Sequence, residues 1–244
     1  FGAPDGETGG EATSGVFLLL FLQKKKPSLA YAFATRESRP MTDRSALWLL
    51  ILLATAVRLV MAHAIGLGVD ESYMVAAGRT LHLSYFDHPP IAWWLSWGAA
   101  QLFGSEAPVA VRLPFILLGA ASTWMVARLG EDIGGRRAGL WTALAYTCAP
   151  VLGFTSASWV LPDGPLNAAL LAMALCLVRA LRGPGWGWWL AAGLAAGLAL
   201  LSKYNAVLPI AGGFVYLLSQ RQDRGWLARP QPWAAVAVAA LLLT

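Results

Sequence analysis

Charge is what this sequence has least of: Asp, Glu, Lys and Arg make up 13% of its 244 residues, about half the share of a water-soluble domain. That shortage excludes an ordinary soluble globule. Cysteine is nearly absent. Cys148 and Cys176 both lie inside apolar runs, which excludes a disulfide framework and a cysteine-rich metal site. There is no Walker loop, no Gly-x-Gly-x-x-Gly opening a helix and no Asp-x-Asp, so the usual cradles for a soluble nucleotide or nucleotide-sugar are missing. The net charge of +5 does not point to nucleic acid either, because in so apolar a chain excess Lys and Arg mark cytoplasmic loops.

What the sequence has is length and apolar content. Hydrophobic residues make up 57% of it, with a mean hydropathy of +0.57, and a spanning helix takes roughly 20 residues. The apolar stretches predict helices near 46–66, 108–129, 138–154, 164–182, 187–201 and 204–220, and another from 233. The class is all-α, a polytopic transmembrane helix bundle over 45–244. Residues 1–44 read as a peripheral or disordered N-terminal extension. The stretch 67–107 mixes Asp70, Glu71, Arg79, Asp87, His88 and Glu106 with Trp93, Trp94 and Trp97. It reads as a long external loop carrying amphipathic helices at the headgroup level.

Arg128, Arg136 and Arg137, then Arg179 and Arg182, then Arg221, Arg224 and Arg229, fall at every second connection, together with Lys24–Lys26, Arg36, Arg39 and Arg44 before the first span. By the positive-inside rule the amino terminus is cytoplasmic, in the plasma (inner) membrane. The opposite face gathers Asp70, Glu71, Asp87, Glu106 and Asp163 with Arg79, Arg112 and Lys203. Each has an unremarkable reading. Asp70 suits a helix cap, Asp163 between prolines suits a turn, Asp87-His88 suits a solvated turn, and Lys203 and Arg58 suit snorkelling or pairing with an acid. Their gathering on one face is what calls for a use.

Asp70-Glu71 after the first helix, Tyr85-Phe86-Asp87-His88-Pro89-Pro90-Ile91, Leu161-Pro162-Asp163-Gly164-Pro165-Leu166 and Leu200-Leu201-Ser202-Lys203-Tyr204 resemble, in that order, the bacterial branch of the protein mannosyltransferase and aminoarabinose transferase superfamily. These are membrane glycosyltransferases of the GT-C fold, in glycosyltransferase family 39 and its relatives. The resemblance covers residues 45–244 and departs from the family by stopping near the seventh span. It implies a GT-C bundle, a sugar donor carried on polyprenyl phosphate, membrane lipids around it, and transfer to a protein or glycolipid acceptor on the non-cytoplasmic side. It also implies Asp70 as the catalytic base, with Glu71, Asp87, His88, Asp163, Lys203 and Tyr204 binding substrate.

Such a transfer needs one carboxylate to take the acceptor proton. The leaving phosphate needs charge stabilisation, which Lys203 and His88, or a bound cation, would supply. No cofactor is certain; a divalent metal on Asp87, His88 and Asp163 stays open, because three such residues without metal-ligand spacing decide nothing. Two rival readings are a transporter or lipid flippase with a charged translocation path, and a noncatalytic assembly subunit. The small-residue pattern around Gly193 and Gly197 predicts close helix packing. Trp186, Trp188 and Trp189 read as an interfacial belt.

Overall fold

The computed structural model describes residues 42–183 and 185–244, and among these there is no strand. The long helices are α1 (Thr42–Ala64), α2 (Val69–Ala77), α3 (Ile91–Phe103), α4 (Pro108–Cys148), α5 (Asp163–Ala180), α6 (Trp186–Leu200), α7 (Val207–Ser219) and α8 (Pro230–Leu241). Of the peripheral extension expected over 1–44, residues 1–41, with the basic residues from Lys24 to Arg39, lie outside the described residues, and 42–44 are the first residues of α1.

Helix α1 turns Trp48, Leu49, Leu52, Leu53, Val57 and Val60 outward, each more than half exposed. An apolar stripe of that size has no stable place in water, so it faces lipid. Its other face, with Ile51 and Ala62 buried, packs on α4. Helices α1, α4 and α5 are long and apolar enough to cross a bilayer. Two expected spans, α6 and α7, are apolar but only 15 and 13 residues long.

The two spans expected at 108–129 and 138–154 occur as one 41-residue helix, α4, that doubles back on itself at Gly135 (φ 82°, ψ 178°). Only glycine adopts that backbone at little cost. The two arms then touch: a Cβ at Gly139 would lie 2.6 Å from the Ala127 carbonyl. The second arm ends earlier than expected, at Cys148. Pro150 has no N–H to continue the ladder, and residues Pro150–Thr155 form a π-helical turn.

Helices α6 and α8 approach as the small-residue pattern predicts, since a Cβ at Gly193 would sit 2.3 Å from the Ala235 carbonyl. Two aromatic expectations change. Trp189 is buried against Trp226, Ala180, Leu217 and Ala235, so only Trp186 and Trp188 stay at the surface. Trp93 has no exposed surface and sits among Met74, Val75, Val111, Phe115 and Val160, with the Tyr85 ring stacked on it at 4.2 Å. It is the core of the α2–α3 region rather than a headgroup anchor, because α3 lies against α4 and turns this face inward.

Arg58 does not snorkel, and among the described residues it finds no acid. It is 2% exposed, and its Nε and Nη2 both donate to the Gly153 carbonyl, at 3.0 and 2.6 Å. An arginine at mid-helix costs about 2.5–3.5 kcal/mol on insertion scales, and hydrogen bonds from a charged donor return about 1.5–3 kcal/mol each. The two bonds, sharing one acceptor, offset part of that cost, and Nη1 stays buried without a partner.

Candidate active site

The acidic end of the bundle is assembled by three long-range ties. The first is a buried ion pair. Arg112, at the start of α4, donates from Nε and Nη2 to the two carboxylate oxygens of Glu71 (2.8 and 2.6 Å), and from Nη1 and Nη2 to the Ile65 and Gly66 carbonyls (both 2.8 Å). Glu71 also accepts the Gly68 N–H (2.9 Å) and the Val160 N–H (3.0 Å). Burial by itself pushes its carboxyl up. Arg112 and the two backbone donors outweigh that and hold it below the usual carboxylate range. The ion pair thus joins the end of α1, the start of α2, the start of α4 and the segment before α5.

The second tie runs from Lys203 Nζ to Asp163 Oδ1 at 2.8 Å, linking the end of α6 to the first turn of α5. The third is the Ile91 N–H on the Leu201 carbonyl at 3.3 Å, which brings the start of α3, and the Asp87-His88 turn before it, beside Lys203. His88 is partly buried, and burial together with Lys203 depresses its pKa against the pull of Asp87 and Asp163. Its imidazole is neutral at neutral pH, so the cation here is Lys203. Stability follows: the unfolded chain takes up this proton near the ordinary value and the folded one resists, so stability is lost as pH falls through about 6.5. His88→Asn should flatten the loss in thermal midpoint between about pH 7 and 5. An unchanged slope would remove His88 as its source.

Asp70 is exposed and makes no hydrogen bond or ion pair among the described residues. It is not the cap of α2. Gly68 holds that position and Glu71 reaches back to its N–H, which leaves the Asp70 carboxylate free. Tyr73 lies one helical turn on, on the same face, and its hydroxyl meets Asp87, whose carboxylate pushes the Tyr73 pKa up. Tyr73 and Asp87 therefore meet across this end, and His88, Asp163 and Lys203 gather beside Asp87. Tyr204 is 60% exposed next to Lys203.

Glu71 stands apart from the other residues expected to bind substrate: it is 1% exposed and its oxygens are engaged within the protein. Among the described residues no group of three His, Cys, Asp or Glu side chains is arranged to hold a metal, so Asp87, His88 and Asp163 offer no ready set of ligands. The sequence reading missed Arg112 and Tyr73 as members. Arg112 carried a signal, being a basic residue near the start of an apolar helix on the acidic face; Tyr73 carried only its spacing of three from Asp70.

The opposite end is held by basic residues. Asp132 pairs with Arg179 and Arg182, and Glu131 with Arg128.

Residues 87–244 match the family model described as dolichyl-phosphate-mannose-protein mannosyltransferase. A lipid A galacturonosyltransferase of Rhizobium johnstonii is 30% identical over 205 residues, which cover 83% of this chain and 42% of that protein. A lipopolysaccharide core galacturonosyltransferase of the same organism is 26% identical over 202 residues, 79% of this chain and 38% of that protein. The chain thus spans about two fifths of the length of these relatives. In the structure of the S. cerevisiae protein O-mannosyltransferase complex bound to the sugar donor, one chain superposes with a TM-score of 0.61 at 20% identity, over 88% of this chain and 33% of that one; that likeness carries the GT-C fold. The matched family and relatives are glycosyltransferases, which leaves the transporter reading without support. With well over half of its residues inside the family match, the chain belongs to the dolichyl-phosphate-mannose-protein mannosyltransferase family.

Proposed function

We propose that this protein is a membrane glycosyltransferase that moves a sugar from a polyprenyl-phosphate donor to a hydroxyl of an envelope glycolipid. The observation that carries the reading is the gathering, at one end of the bundle, of a free carboxylate (Asp70) and a lysine (Lys203) that keeps hydrogen-bonding capacity. Asp163 occupies one of the three Lys203 donors, leaving the others for a phosphate.

In the reaction the acceptor oxygen attacks the anomeric carbon, and its proton passes to Asp70. The bond from that carbon to the phosphate oxygen breaks, its electron pair leaving with the phosphate. Lys203 stabilises the charge that develops there without having to supply a proton. Neutral His88 and the Tyr73–Asp87 pair contribute hydrogen bonds around the sugar. Tyr204, exposed beside Lys203, is available to the donor. The names of the two bacterial relatives make a uronosyl donor, with lipid A or lipopolysaccharide core as acceptor, the first combination to test.

The orientation follows from charge. Arg128, Arg136, Arg137, Arg179 and Arg182 gather at the end away from Asp70, which favours an inner-membrane protein with a cytoplasmic amino terminus and transfer on the non-cytoplasmic face.

The test uses the full-length protein in lipid nanodiscs with a radiolabelled sugar on polyprenyl phosphate. Label should move to extracted lipid A or core oligosaccharide. Lys203→Ala should lower kcat about tenfold or more, the loss of a charge-assisted contact that strengthens as the phosphate takes up charge, with a smaller change in the KM for donor. No label transfer to any envelope fraction from any polyprenyl-phosphate sugar would end the proposal.

A further inference from the structure

We propose that Arg58 is a positioning residue for this site, acting through the π-helical turn Pro150–Thr155; the inference rests on the glycosyltransferase reading above. Among the described residues no carboxylate pairs with Arg58, and its Nη1 has no hydrogen-bond partner. What it does engage is specific: Nε and Nη2 converge on one carbonyl, that of Gly153, 95 residues away.

That carbonyl lies where the helical ladder unwinds. The Ser156 N–H goes back to Val151, and those of Ser158 and Trp159 both go to Thr155, so these donors pass Gly153 by. The turn is also too tight for any other residue at this position. A Cβ on Gly153 would come within 2.1 Å of the Thr147 carbonyl oxygen and 2.5 Å of the Tyr146 carbonyl oxygen, and both are backbone atoms with little room to move.

What the clamp controls lies downstream. From Gly153 the chain runs irregularly to α5, and on the way the Val160 N–H donates to Glu71 and Asp163 meets Lys203. The guanidinium fork thus fixes the origin of the segment whose far end sets both the Glu71 anchor beside Asp70 and the carboxylate that holds Lys203. Lysine cannot reproduce this, because a single ammonium lacks the planar fork that chelates one oxygen.

The experiment compares Arg58→Lys, Gly153→Ala and the double variant in the full-length protein, reading transfer kinetics per folded molecule. A parallel arm reads the alkylation rate of Leu161→Cys in a Cys148→Ala/Cys176→Ala background, with Arg or Lys at position 58. Arg58→Lys should lower kcat about tenfold or more, as expected when reacting groups are displaced by a fraction of an ångström. The double variant should be no worse than the weaker single, since both act through one carbonyl, and the alkylation rate at 161 should change several-fold. Wild-type kcat in Arg58→Lys, additive effects on kcat, or an unchanged alkylation rate would each overturn the proposal. If the wild-type protein transfers no sugar, the functional reading is what fails, and the alkylation arm still decides whether Arg58 sets the segment.

Discussion

Cutting the Glu71–Arg112 pair, by Arg112→Leu on one side or Glu71→Gln on the other, should cost about 3–5 kcal/mol of stability, the usual penalty for stranding one member of a buried ion pair. The size follows from the surroundings. The side chains are 3% and 1% exposed, so water cannot replace the lost partner. Arg112→Leu leaves a buried carboxylate with only the Gly68 and Val160 N–H groups, and also frees the Ile65 and Gly66 carbonyls. Glu71→Gln leaves a guanidinium facing a neutral amide. For a chain of this size the thermal midpoint in detergent should fall on the order of 10 °C, and cellular abundance with it. Replacing both residues by leucine should recover part of the loss, because the stranded charge is then gone. A midpoint within about two degrees of wild type in either single variant would show that the pair does not hold this end together.

Asp70→Asn should have the opposite signature. Removal of a general base typically lowers turnover about 10²–10⁴-fold, and that is the loss expected in kcat for sugar transfer. Stability should barely move. The exposed carboxylate has no partner to strand, and in the first turn of α2 it contributes only about 0.3–1 kcal/mol through the helix dipole. Two adjacent acids thus separate cleanly in one pair of measurements, with melting reporting on Glu71 and transfer on Asp70. Retained turnover in Asp70→Asn would take the base role away from it.

That separation also marks how far the sequence could be read. Asp70 and Glu71 stand together as one acidic motif, and nothing in the order of residues says which faces inward. Helix geometry decides it: Glu71, Met74 and Val75 form the buried face of α2, while Asp70 and Tyr73 lie on the other. The partners that consume Glu71 are Arg112 and Val160, 41 and 89 residues away, and no local pattern connects them. The same limit applies to Trp93. In sequence it is one of three tryptophans in a surface-like stretch; in the fold it is the fully buried centre of the α2–α3 core.

Composition, apolar run length and the placement of charge determined the all-helical membrane bundle, a connection between residues 129 and 138, amphipathic helices within 67–107 and the split of acids and bases between two ends. These follow from local chemistry, since a long apolar run in lipid can satisfy its backbone only as a helix, and a glycine pair permits a turn that other residues resist. Tertiary structure alone decided which acid is structural and which is free, that Lys203 is tethered to Asp163 while His88 stays neutral, and that Arg58 grips a carbonyl rather than a carboxylate. Each depends on groups from distant segments meeting where water is scarce, and the energies of such encounters depend on burial and geometry that a residue order does not contain.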